Sequence, residues 1–163
     1  MPGERGPVVA NMMSLAELLP HKAPMILLSG YEEQTGEDAA VAFVDVGPES
    51  PFHDRALGGV PACVALEYMA QTMALCVGFH RRREGGEPKM GFVLGSRKME
   101  TLVPSFRDGE RYRITARCTY QDESFGSFDC EITDASGTVV ARATLTAFQP
   151  EGEMTPERLE EFS

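Results

Sequence analysis

The chain has 163 residues, 42% of them hydrophobic and 25% charged, with a formal net charge of −10. This is the length of one domain with enough apolar material for a core. The acidic balance argues against nonspecific nucleic-acid binding, which needs Lys and Arg opposite phosphate, and against docking on anionic membranes.

Residues 1–13 carry Pro and Gly without a sustained period and read as a lead-in, with no basic head or apolar run of a signal peptide. A cytoplasmic protein is expected. The domain runs over 14–149, and 150–163 form an acidic tail. Ser14 and Glu17 fit a capping box for a short helix through Leu19, stopped near Pro20. Residues 25–34 and 39–46 read as an antiparallel hairpin about the Thr35–Asp38 turn. Gly47 to Val60 is a loop rich in Pro, Gly and Ser, with Phe52 and His53 in its middle.

From Pro61 to His80 there is no Lys, Arg or Asp. Pro61 suits a helix start, and a segment so apolar reads as a helix buried on every side. Glu67, Gln71 and Thr72 interrupt it too much for a membrane span. Strands follow at 90–102, 110–122, 125–133 and 138–148, with turns at Pro104 and Asp108-Gly109, at Asp122–Ser124 and at Asp134–Gly137. Alternation is clear in Tyr112, Ile114, Ala116 and Cys118, and in Val139, Ala141, Ala143 and Leu145. The expected class is α+β: an antiparallel sheet of five to six strands wrapped around one long central helix, which is the hot-dog architecture.

The carboxylate of Glu67 in such a helix has to be paired, neutral or facing a polar cavity. His53 in the preceding loop and Glu67 on the second helical turn form a plausible acid–base pair, with burial favouring the neutral carboxyl. The first-turn amides at Ala62 and Cys63 offer donors to a carbonyl oxygen gaining charge. Together these suit proton abstraction beside a carbonyl with an acid for a leaving group. His21, between two prolines, reads as structural, and His80 as a cap on the helix C-terminus. Cys63, Cys76, Cys118 and Cys130 lack CxxC or metal-ligand spacing, so reduced, buried thiols are expected, without metal or cofactor. Cys63 reads as small-residue packing rather than as a nucleophile.

The chain resembles the hot-dog β-hydroxyacyl-acyl-carrier-protein dehydratases over about residues 15–148. LLPHKAPMILL at 18–28 is similar to the family's Leu-Pro-His opening, and PxxxxxEYMAQ at 61–71 to its central-helix pattern. His53 precedes Glu67 by 14 residues, the family's spacing, and 91–110 resembles the strand, basic patch and turn that follow. The resemblance implies His53 as the base on the α-proton of a 3-hydroxyacyl thioester and Glu67 as the acid for the departing hydroxyl. The amides of Ala62 and Cys63 would hold the thioester oxygen, and Gln71 would orient Glu67. It also implies a homodimer or heterodimer with His and Glu from different subunits, and an acyl carrier protein as partner. Arg97 and Lys98 match the family's basic strand and are the expected docking cations, ahead of Arg81-Arg82-Arg83.

Two departures bear on the site. His53-Asp54-Arg55-Ala56 stands where the family has His-Phe-Pro-Gly, and Ala62 stands where it has Gly after the helix-starting Pro. LPHKAPM, GVPACVALEYMAQ and DESFGSFDCEI are most similar to the divergent subgroup of aryl-polyene-type clusters. The leading expectation is a dehydratase producing a trans-2-enoyl thioester. The alternatives are a half-site subunit that completes a partner dehydratase, and a hot-dog thioesterase with Glu67 activating water.

Overall fold

The reciprocal cap at the first helix is present. Ser14 Oγ accepts from Glu17 N at 3.2 Å and Ser14 N donates to Glu17 Oε2 at 2.8 Å, opening α1 (Leu15–Leu18). The computed structural model describes residues 13–32, 38–89 and 91–150. Most of the lead-in, the Thr35–Gly36–Glu37 part of the first turn, Met90 and nearly all of the tail lie outside the described residues.

The first hairpin is shorter than expected. β1 is only Gly30–Tyr31, paired with β2 (Ala39–Asp45). Residues 25–28 are no strand, because their backbone is bonded elsewhere: Leu27 N donates to Gln71 Oε1 at 2.9 Å and the Met25 carbonyl accepts from Gln71 Nε2 at 2.7 Å. The loop before the helix ends in β3 (Gly59–Pro61). A single 3₁₀ turn (Ala62–Val64) then leads into α2 (Ala65–Arg83). The helix therefore starts just beyond Pro61 and runs past His80. β4 (Phe92–Thr101), β5 (Ser105–Arg107), β6 (Arg111–Gln121), β7 (Phe125–Thr133) and β8 (Val139–Phe148) complete the fold.

Six strands form one antiparallel sheet in the order β1-β2-β6-β7-β8-β4, while β3 and β5 pair separately. The sheet's inner face packs on α2, as the alternation requires. Tyr112, Ile114 and Ala116 of β6 are buried, as are Phe128, Cys130 and Ile132 of β7. Each large apolar side chain so buried contributes about 1.5–3 kcal/mol. Tyr68, Phe106 and Tyr112 stack edge to face with centroids 5.3 and 4.9 Å apart, which fixes β5 beneath α2. Gly78 lets α1 cross α2, since a Cβ there would lie 2.1 Å from the Leu18 carbonyl oxygen.

Ala62–Arg83 is long and apolar enough to cross a bilayer, yet 61% of its most apolar window is buried, and it is the core helix of this sheet. It is not buried on every side. Cys63, Leu66 and Glu67 reach the surface and Ala74 and Val77 are half-buried, so one stripe of the helix lies open. Among the described residues no disulfide forms and no acidic, His or Cys cluster could hold a metal. Cys76 and Cys130 are buried as expected, whereas Cys63 is exposed because it falls on that open stripe.

Candidate active site

The open stripe of α2 lines a cavity of about 360 Å³ between the helix and the far ends of β4, β7 and β8. Ala70, Ala74 and Gly78 keep the helix side low, and Phe92, Phe128 and Phe148 form the opposite wall. The lining is mostly apolar. Glu67 and His21 bring polar groups to the cavity from α2 and from the segment after α1.

Glu67 Oε1 accepts from Gln71 Nε2 at 3.0 Å, the one-turn contact expected between them. Gln71 is fully buried; its Nε2 donates to Glu67 and the Met25 carbonyl, and its Oε1 accepts from the Leu27 N–H. Glu67 differs from the expectation of a buried carboxylate: its side chain is 41% exposed in the single chain, because it lies where the open stripe meets solvent. His21, read as structural, stands beside it, with Nε2 3.6 Å from Glu67 Oε1.

His53 is held apart from this group. Its ring Nε2 lies 2.9 and 3.0 Å from the two Asp108 oxygens, and its side chain is 10% exposed. A carboxylate at Nε2 places the ring hydrogen there in the neutral form and leaves Nδ1 as the basic nitrogen. Asp108 sits in the β5–β6 turn, where Gly109 takes φ +80°. Asp108 N donates to the Gly58 carbonyl at 3.0 Å and Gly109 N to Val46 at 2.8 Å, so the turn is bound to both ends of the His53 loop. Tyr112 braces it from below, accepting from Arg107 N and donating to Glu110. Phe52, just before His53, has φ 65° and is 58% exposed. Such left-handed backbone is strained for a residue with a Cβ.

His53 does not line the cavity, and among the described residues no hydrogen bond or ion pair joins it to Glu67. One chain thus carries both groups without assembling them. The Ala62 amide also differs from expectation: it donates to the Pro104 carbonyl at 3.1 Å, continuing the β3–β5 ladder, so it is engaged within the chain. Cys63, next in the first turn, is exposed, and its amide has no carbonyl one turn earlier within the helix.

The arginines ending α2 serve local roles. Arg82 donates twice to the Glu17 carbonyl and Arg81 to that of Glu87. Arg97 and Lys98 lie exposed on β4, neither in an ion pair among the described residues. A bulge there gives Lys98 a φ of 53°. The contacts of Asp108 with His53 and of His21 with Glu67 were not expected from the sequence. Asp108 had been legible only as a turn former, and both contacts bridge distant parts of the chain.

The ApeP-like family, described as ApeP dehydratase, matches residues 13–159. A 3-hydroxyacyl-[acyl-carrier-protein] dehydratase FabZ of Agrobacterium fabrum is 29% identical over 152 residues, covering 88% of this chain and 93% of its own. The FabZ of Polynucleobacter necessarius is 24% identical over 143 residues, covering 86% and 93%. A chain of the dehydratase heterocomplex ApeI:P from Xenorhabdus doucetiae superposes with a TM-score of 0.82 at 31% identity, covering 92% of this chain and 97% of that one. A hypothetical thioesterase of Streptococcus pneumoniae superposes at 0.60 with 20% identity over 79% and 91%, a likeness of fold alone. With its antiparallel sheet around one long helix and a family match across nearly the whole domain, this chain belongs to the ApeP-like dehydratases.

Proposed function

We propose that this chain removes water from 3-hydroxyacyl groups carried as thioesters on acyl carrier protein, giving trans-2-enoyl thioesters. The observation that carries the reading is Glu67 held by Gln71 at an apolar cavity that could receive an acyl chain. His53 Nδ1 takes the α-proton. The electrons of that C–H bond become the new Cα–Cβ double bond as the Cβ–O bond breaks, and the hydroxyl leaves as water with the proton of Glu67. The thioester oxygen gains charge on the way and is held by the Cys63 amide, which replaces Ala62 in that role. Asp108 fixes the His53 tautomer and stabilises the imidazolium that forms.

The separation of His53 from Glu67 supports a site completed across two hot-dog subunits, each supplying one of the pair. A sheet edge supports the same assembly. β4 is an outer strand of ten residues whose first part exposes Val93 (40%) and Leu94 (58%), and its free edge invites a partner strand. The partner is a second copy or another hot-dog subunit. Arg97 and Lys98 on that strand are the docking cations for the acidic carrier, and charge reversal there raises KM while sparing kcat.

A half-site reading is favoured by one observation, the likeness to a chain of a heterocomplex. In that reading the chain supplies Glu67 and its cavity to a partner's site. The experiment is to incubate the purified chain, alone and with a partner hot-dog dehydratase, with a 3-hydroxyacyl carrier-protein thioester and follow the acyl mass. Loss of one water from the chain alone supports full activity, and loss only with the partner supports the half-site reading. Release of free acid would instead indicate a thioesterase and overturn both.

A further inference from the structure

Among the described residues His21 is the titratable partner within ion-pair reach of Glu67, and the reaction above leaves it unused. Its Nε2 lies 3.6 Å from Glu67 Oε1, just beyond hydrogen-bond distance. Its Nδ1 is buried with no hydrogen-bond partner among the described residues. An orphaned donor is rarer in a protein interior than an orphaned acceptor. Burial therefore puts the neutral ring's hydrogen on Nε2, facing the carboxyl, and leaves a bare lone pair at Nδ1. The placement is no accident of a loose loop. Leu18 and Leu19 are buried just before His21, and just after it Gln71 bonds both Met25 and Leu27 while also holding Glu67. One amide thus ties the His21 segment to the acid's own helical turn.

We propose that His21 is a positioning residue for Glu67, its Nε2–H closing on Oε1 when the carboxyl has given up its proton to the departing hydroxyl. Gln71 supplies one donor to the resulting carboxylate and His21 the second. The proposal rests on Glu67 being the acid, and it adds a group that stabilises the product state of that proton transfer.

The test compares His21→Ala and His21→Gln in the turnover-competent assembly, with tautomer assignment by nitrogen NMR of the folded protein. A Gln amide can place a donor near the Nε2 position and an Ala cannot. We expect His21→Ala to lower kcat about tenfold with KM nearly unchanged, the size of one charge-assisted hydrogen bond, and His21→Gln to recover most of it. The His21 spectrum should show hydrogen on Nε2 and should shift in Glu67→Ala. Wild-type kcat in both variants, or losses in both that follow melting temperature, would overturn the proposal. So would an Nδ1–H tautomer, or a His21 spectrum indifferent to Glu67→Ala. If the wild-type assembly forms no enoyl product, the acid role of Glu67 has failed, and the spectrum still decides whether the pair exists.

Discussion

Replacing Asp108 separates two contributions to the proposed base. Both its oxygens lie within 3.0 Å of His53 Nε2. Hydrogen bonds to charged groups contribute about 1.5–3 kcal/mol. The Asp108 side chain is 34% exposed, so screening moves its charge contribution toward the lower end. Asp108→Asn keeps an acceptor for Nε2–H, and with it the tautomer, but loses the charge that stabilises the imidazolium. At about 1.4 kcal/mol per factor of ten, it should lower kcat roughly tenfold. Asp108→Ala loses the acceptor as well, and a fall of about 100-fold is expected. Melting temperature should hold in both, because the turn is bound through its backbone to Gly58 and Val46. The assay is steady-state dehydration, in wild-type and His53→Ala backgrounds. If Asp108→Ala keeps wild-type kcat, or costs as much in His53→Ala as in wild type, Asp108 does not act through His53.

Gln71→Leu should destabilise the fold by about 1–3 kcal/mol for each buried group it orphans, the Leu27 N–H and the Met25 carbonyl, measured by denaturant unfolding. It should lower kcat as well, since Glu67 loses its donor. Gly78→Ala forces a Cβ onto the Leu18 carbonyl and should cost about 1–3 kcal/mol by the same measurement. Ala74→Leu fills the cavity and should raise KM for long acyl chains more than for short ones, read from a chain-length series. Burial pushes the Cys76 and Cys130 thiols up to about 12. Because the thiolate is the reactive form, neither should be alkylated in the native protein at about pH 8, and both should react once it is unfolded. Mass mapping of the labelled peptides checks this.

The elements legible in the sequence are those whose stabilisation is local or periodic. Tyr112, Ile114 and Ala116 point alternately inward because a strand repeats every two residues, and Ser14 and Glu17 cap α1 with their own backbone. β3 and β5, three residues each, are too short to show a period, and only the register of Val60 against Phe106 reveals them. Ala74 and Val77 read as core because apolar side chains look alike whether they pack or line a cavity. His53 and Glu67 were visible as residue types at a family spacing. The contacts with Asp108 and His21 were not, since Asp108 meets His53 across 55 positions and the His21 segment folds back onto α2.

The most direct test of the account replaces the two proton-transfer groups in the assembly that turns over. The readout is the ratio of enoyl to hydroxyacyl carrier protein at fixed time, with carrier binding measured alongside. The account predicts that His53→Ala and Glu67→Gln each reduce turnover by about 10²–10⁴-fold, the range of a lost acid or base, while carrier binding is kept. Turnover retained in Glu67→Gln would contradict it.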